Sequence, residues 1–273
     1  MIEIYGVFCM ETTIKVLKEI KPNNPILIEG LPGIGSVGRV SAQYLIDKLK
    51  AKKFAELYSP HFLPFTIIHE NVAEVLKNEF YYWKNPNGND LIILVGDCQA
   101  GESGGEGHYE VSEKILDFCE KLGVKKIITL GGFGTGEVEE TKDIEVLGAA
   151  NDEKLIEEYE KYGIDFKSSM NRIGMIVGAS GLLIGLGRLR GMDGICLMGE
   201  TTGFPIITDP RSAEKILKVL IKMLDLKVDL GELDKKSKEM EKFLERLETI
   251  QEKAMKKIVS KDEKSKEKLS YIG

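Results

Sequence analysis

Gly33-Ile34-Gly35-Ser36-Val37-Gly38 has the spacing G-x-G-x-x-G. Between a strand and a helix, that spacing lets the backbone approach a pyrophosphate and leaves helix N-terminal amides to hold it. Gly33, Gly35, Ser36 and Gly38 are therefore the cofactor-binding candidates. One functional reading is an enzyme that takes a nucleotide or nucleoside at this turn. Two parts of such a site are missing. A ribose-binding acid belongs about 20 residues further on, at a strand end, and Glu56 at that distance runs into Leu57-Tyr58-Ser59-Pro60. The turn also lacks the lysine of a phosphate-binding P-loop. The competing reading is a tight strand-to-helix turn that needs small residues.

The remaining chemistry-bearing residues form no complete constellation. Gly101-Glu102-Ser103-Gly104-Gly105 fits G-x-S-x-G, but the preceding strand should end near Gly96 and the only later histidine is His108. A nucleophile elbow needs its serine directly between strand and helix and a distant histidine. His69-Glu70 has no second histidine at the spacing of a zinc protease. Cys9, Cys98, Cys119 and Cys196 are isolated and make no Cys-x-x-Cys pair, so they read as small buried thiols of a reducing compartment. Asp97, Glu137 and Glu200 lie at strand ends or in glycine loops, and acid–base chemistry would follow if they converged. The expected complement is no catalytic residue, no metal and no cofactor.

These residues need a frame to position them. Apolar runs ending in glycine occur at Pro25–Gly30, Leu91–Gly96, Ile127–Gly131, Met175–Gly178 and Gly194–Gly199. Continuous apolar runs mark strands buried on both faces. Helical spacing recurs over Ser36–Lys50, Val111–Leu122 and Asp152–Tyr162. A further helix opens at Asp209-Pro210, with aspartate as N-cap and proline in the first turn. The alternation predicts an α/β fold with a mainly parallel central sheet flanked by helices. Glu56–Tyr82, with Pro60, Pro64 and several aromatics, is expected to add strands or an insertion at the sheet edge.

The 273 residues carry 38 basic and 44 acidic side chains, a net charge of −6. That balance disfavours nucleic acid as a general partner. No basic-then-apolar leader is visible at Met1, so a cytoplasmic location is expected. The longest uncharged run, Ile173–Gly187, is too short to span a membrane. Glycine is abundant, yet 27 of the 29 precede Gly231. There the composition changes. Residues 1–230 form an α/β body with a net charge of −8, and the remainder carries +2. Residues 231–258 form a helical arm with an apolar stripe through Leu233, Met240, Phe243, Leu244, Leu247, Ile250 and Ile258. Such a stripe has to be covered by another subunit or by the body. Residues 259–273 form a Lys/Glu-rich flexible tail with the apolar tip Leu269-Ser270-Tyr271-Ile272-Gly273.

Two stretches carry a family resemblance. The first is Gly30-Leu31-Pro32-Gly33-Ile34-Gly35-Ser36-Val37-Gly38. The second is Ile195-Cys196-Leu197-Met198-Gly199-Glu200-Thr201, followed by Gly203-Phe204-Pro205 and Asp209-Pro210. Together, in this order in an α/β chain, they resemble the proteasome assembly chaperone family, in particular its archaeal homo-oligomeric members. The resemblance covers roughly residues 1–225, and the helical extension is also similar. It implies a phosphorylase-like body without established catalytic residues. It also implies a homo-oligomer, a tetramer or pentamer, that offers C-terminal tails to proteasome α subunits or the core particle. Some tails of the family end in a hydrophobic-Tyr-X tripeptide that inserts between adjacent α subunits. Here Tyr271 stands third from the end and follows Ser270, a departure from that pattern. Leu269, Tyr271, Ile272 and Gly273 are the expected partner-binding residues, on a non-enzymatic assembly chaperone or adaptor.

Overall fold

The computed structural model describes residues 11–101, 105–135, 144–167, 172, 174–202 and 208–240. The strands are β1 (Thr13–Val16), β2 (Ile26–Gly30), β3 (Lys52–Tyr58), β4 (Thr66–His69), β5 (Val72–Val75), β6 (Asn78–Trp83), β7 (Leu91–Gly96), β8 (Lys126–Gly134), β9 (Val146–Ala150) and β10 (Asp193–Thr201). The helices are α1 (Val37–Leu49), α2 (Glu106–Lys121), α3 (Glu153–Tyr159), α4 (Ala179–Leu189) and α5 (Pro210–Met223).

Eight strands form one sheet in the order β1-β3-β6-β7-β2-β8-β10-β9, and β4 pairs with β5 alone. The four central strands β7, β2, β8 and β10 run parallel. Both margins are antiparallel: β1, β3 and β6 on one side and β9 on the other. Every residue of β2 and β7 is buried, because helices cover both faces. Ile26 and Ile28 point to the face covered by α1 and α5, and Leu27 to the face covered by α2 and α4. The period-two alternation of a strand divides one apolar run between two cores.

The helix-start signal at Asp209 holds. Its carboxylate accepts from the amides of Arg211 and Ser212, and Pro210 opens α5. Such a cap satisfies amides that the first turn leaves unpaired. α2 begins at Glu106, ahead of the Val111 that the periodicity marks. The stretch from Glu56 to Tyr82 contributes part of β3, the β4–β5 hairpin and nearly all of β6.

One strand expectation fails. Met175–Gly178 is irregular, with Met175 75% and Val177 80% exposed, and it leads into α4. Gly174 and Gly178 sit at φ +66 and +82, outside the range of a pleated strand. The place beside β10 goes to β9, whose Val146-Leu147-Gly148-Ala149-Ala150 carries little apolar bulk. Gly148 is needed there, since a Cβ would strike Ile164.

Residues 231–240 are helical. Leu233 is buried in the core beneath α1 and α5, and the Ser237 hydroxyl donates to the Leu233 carbonyl at 3.0 Å. Lys48 pairs with Glu232 at 2.9 Å, and the Tyr44 hydroxyl donates to the Asp229 carbonyl. The start of the arm thus packs on its own body. Met240 is partly exposed at the end of this stretch, and Phe243, Leu244, Leu247, Ile250 and Ile258 lie outside the described residues, as does the tail.

Candidate functional site

Strands β2, β7, β8 and β10 all end on one side of the sheet, and the Gly30–Gly38 turn lies there. Its glycines have packing reasons. Gly35 adopts φ +60, and a Cβ on it would stand 2.9 Å from the Thr201 hydroxyl of β10. A Cβ on Gly38 would strike the Leu130 carbonyl of β8, and one on Gly30 would strike the Gly38 carbonyl. The first turn of α1 is therefore pressed against the sheet, which only glycine permits. The Gly35 carbonyl accepts from the Asp209 amide at 2.9 Å, which ties the turn to the start of α5. Gly33 is different: its nearest neighbour would be Gln99, at 3.9 Å. Ser36 caps α1 in the left-handed region without a side-chain bond. Gly35 and Gly38 are thus spent on contacts between the turn and the sheet.

Beneath this turn lies a polar cluster absent from the sequence candidates. Glu29 is fully buried in β2. Its Oε1 accepts from the Leu31 amide at 2.8 Å, and its Oε2 from the Ser180 hydroxyl at 2.9 Å. Burial pushes its pKa up to about 7, against the pull of those two bonds. The Thr129 hydroxyl donates to the Ser180 carbonyl at 3.0 Å. Gln99 bridges above: its Nε2 donates to the Pro32 carbonyl at 2.8 Å and its Oε1 accepts from the Ala179 amide at 2.9 Å. Glu29 and Gln99 together hold the glycine turn and the start of α4 in register. The signal in the sequence was a carboxylate inside the apolar run Ile26–Gly30, a residue type almost never fully buried unless paired.

The proposed convergence of carboxylates does not occur between Asp97 and Glu200. They follow or occupy β7 and β10, which have β2 and β8 between them, a separation of roughly 14 Å at the usual strand spacing. Asp97 accepts from the Lys77 amide at 3.1 Å. Glu200 pairs with Arg172 and accepts from the Glu145 amide at 3.0 Å. Glu137 and Ser103 lie outside the described residues. His61 pairs with Glu110 at 2.8 Å, and the Thr12 amide donates to the same carboxylate. Hydrogen bonding from the Thr12 side chain first, then from His61 and the Thr12 amide, holds the Glu110 pKa down, at about 2. Cys119 and Cys196 are fully buried, which pushes both thiols up to about 12 and leaves them un-ionised. Among the described residues no group of His, Cys, Asp and Glu could hold a metal ion. No described helix is long and apolar enough to cross a membrane.

Exposed apolar surface concentrates elsewhere. The β4–β5 hairpin carries Ile67, Ile68, Val72 and Val75, with Leu63 and Phe65 at its base, all exposed. A groove of about 450 Å³ opens beside that base, lined by Phe62, Leu63, Phe65, Val75 and Leu76 among others. Exposed apolar side chains in such number mark an interaction surface.

Comparison with known proteins gives this geometry a context. The model of the PAC2 family matches residues 27–248. An uncharacterized protein of Methanocaldococcus jannaschii is 35% identical over 268 residues, 97% of this chain and 99% of that protein. Among solved structures, Pyrococcus furiosus PbaB, described as an archaeal proteasome activator, is 45% identical with a TM-score of 0.82. The match covers 88% of this chain and 100% of PbaB. Pyrococcus furiosus PbaA, described as an archaeal homolog of proteasome-assembly chaperone, is 30% identical with a TM-score of 0.69 over 93% of this chain and 99% of PbaA.

Proposed function

The chain belongs to the PAC2 family, and on that premise we propose that it is a non-enzymatic chaperone or adaptor of the proteasome. It binds α subunits or the assembled core particle in the cytoplasm. The observation that carries this reading is the 45% identity to PbaB over the whole of that chain. The geometry of the strand ends supports it. Gly35 and Gly38 bring the turn into close contact with the sheet, and the buried thiols stay protonated.

In the mechanism we propose, an oligomer of bodies, a tetramer or pentamer, displays several C-terminal arms at once. Leu233 roots each arm in its body. The stripe Met240, Phe243, Leu244, Leu247, Ile250 and Ile258 packs within the oligomer, and Leu269, Tyr271, Ile272 and Gly273 dock on the α subunits. Individually weak tails gain by effective concentration once one of them is bound. The test is native mass spectrometry with recombinant α subunits. Deleting residues 259–273 should leave the number of subunits in the oligomer unchanged and weaken α-subunit capture. Undiminished capture would remove the tail from the mechanism, and no capture by the full chain would remove the reading itself.

A further inference from the structure

The helix that opens the arm runs along the outside of α1. Glu232 pairs with Lys48 in the last turn of α1 at 2.9 Å, and Leu233 is buried beneath α1 and α5. Further on, a groove of about 700 Å³ has Lys236, Glu239 and Met240 on the arm's side and Ser36, Arg39 and Asp47 on the side of α1. Residues 231–240 therefore run antiparallel to α1 and reach its head, beside Ser36. The charges agree with that direction. Counted from the Lys48 end, Asp47 and then Arg39 line the groove opposite in sign to Lys236 and then Glu239.

At the head of α1 the body exposes apolar side chains. Ile34 is 47% exposed and Ile67 of β4 is 41% exposed. Ile67 lines a second groove, of about 340 Å³, with the same Arg39 and Gln43 that border the first. Its cross-strand neighbour Glu74 is engaged by Lys77 at 2.7 Å, so the charge on that face of the hairpin is answered within the body. The arm carries matching residues. Lys236 and Met240 are followed on the same helical face by Phe243 and Leu247, at i, i+4, i+7 and i+11. At ~1.5 Å per residue, a continued helix sets Phe243 about 5 Å and Leu247 about 10 Å beyond Met240. The tether decides which copy they meet. Only two residues separate Met240 from Phe243, so the chain's own body stands at a far higher effective concentration than any other copy.

We propose that the arm continues as a helix past Met240 and straps the head of its own α1, Phe243 and Leu247 covering Ile34 and Ile67 of the same chain. The strap sets the direction in which the tail departs, over the C-terminal ends of the parallel strands. It refines the arm of the reading above without depending on α subunits, and it leaves Ile250 and Ile258 for neighbouring subunits.

The test uses the full chain. Amides of residues 241–247 should exchange at least roughly tenfold more slowly than in a synthetic peptide of residues 231–258, because a short helix without packing is marginal in water. The pair Ile34→Asp, Ile67→Asp should return them to the peptide's rate, with the subunit number and the exchange of α1 unchanged. Peptide-like exchange in the unaltered chain, or protection that survives both substitutions, overturns the proposal. Cross-linking keeps the test decisive even where the body pair fails to fold. Ile34→Cys and Leu247→Cys, placed together in a chain with Cys9→Ser, should be joined within one chain by a short bismaleimide. A link between two chains gives the arm to a second copy and overturns the proposal, as does the absence of any link. Capture of α subunits is read separately: its loss with the strap intact rejects the chaperone reading alone, and capture without a strap rejects the strap alone.

Discussion

Replacing Glu29 with glutamine should change how the stability of the fold depends on pH. Glu29 is enclosed in β2 and releases its proton at about pH 7, against 4.5 for an ordinary glutamate. The cause is burial, only partly offset by the bonds from Leu31 and Ser180. The folded pKa lies above the unfolded one, so the folded state keeps a proton that the unfolded chain gives up. The protonated carboxyl's contribution is complete below about pH 4.5, falls as pH rises to about 7, and is then constant. The interval corresponds to about 3 kcal/mol at 1.36 kcal/mol per pH unit. The substituted side chain would carry no charge at any pH. Its carbonyl can still accept from Leu31, and its amide can face Ser180 at a cost of about 1 kcal/mol in reorganised hydrogen bonds. Near pH 5 the variant should be equal to the parent or slightly weaker. Near pH 8 it should be more stable by about 2 kcal/mol. Denaturant unfolding at both pH values and one protein concentration measures the difference between the differences. Parallel pH dependences for parent and variant would show that Glu29 does not hold its proton and would refute the argument.

Two further perturbations test neighbouring parts of the structure. Gly38→Ala should destabilise by about 1–2 kcal/mol, since the clash with Leu130 outweighs a gain of about 1 kcal/mol in helix propensity. Gly33→Ala, with no atom nearer than 3.9 Å, should stay within about 0.5 kcal/mol of the parent; equal losses in thermal unfolding would contradict the packing account of the turn. Glu110 ties the Thr12 amide and His61 with its pKa lowered to about 2, so its stabilisation is present above about pH 4.5 and is lost as pH falls toward 2. Glu110→Gln should flatten that acid limb by a few tenths of a kcal/mol, because solvent screens the half-exposed pair, and an unchanged acid limb in a urea titration would argue against the pairing.

Much of the frame was legible in the residues. Ile26–Gly30 and Leu91–Gly96 read as doubly buried strands because both faces of a strand under two helical layers must be apolar. Asp209-Pro210 read as a helix start because capping is local chemistry, complete within three residues. The Gly30–Gly38 turn was placed correctly between β2 and α1. Its use was not legible, since G-x-G-x-x-G has the same spacing whether it admits a phosphate or a neighbouring strand.

The arrangement of the sheet settled what spacing along the chain left open. Leu130 of β8 against Gly38, and Thr201 of β10 against Gly35, are contacts over 92 and 166 residues, and they press the turn against the sheet. Strand order alone separates Asp97 from Glu200, and it places β9 at the edge beside β10. Glu29, charged by its letter, takes on a proton near neutrality because β7, β8 and α4 shut water out around it. Local periodicity and capping determined the class of fold and the order of its elements. Burial, pairing order and the exposed hairpin depend on contacts between distant segments, and only the tertiary structure decided them.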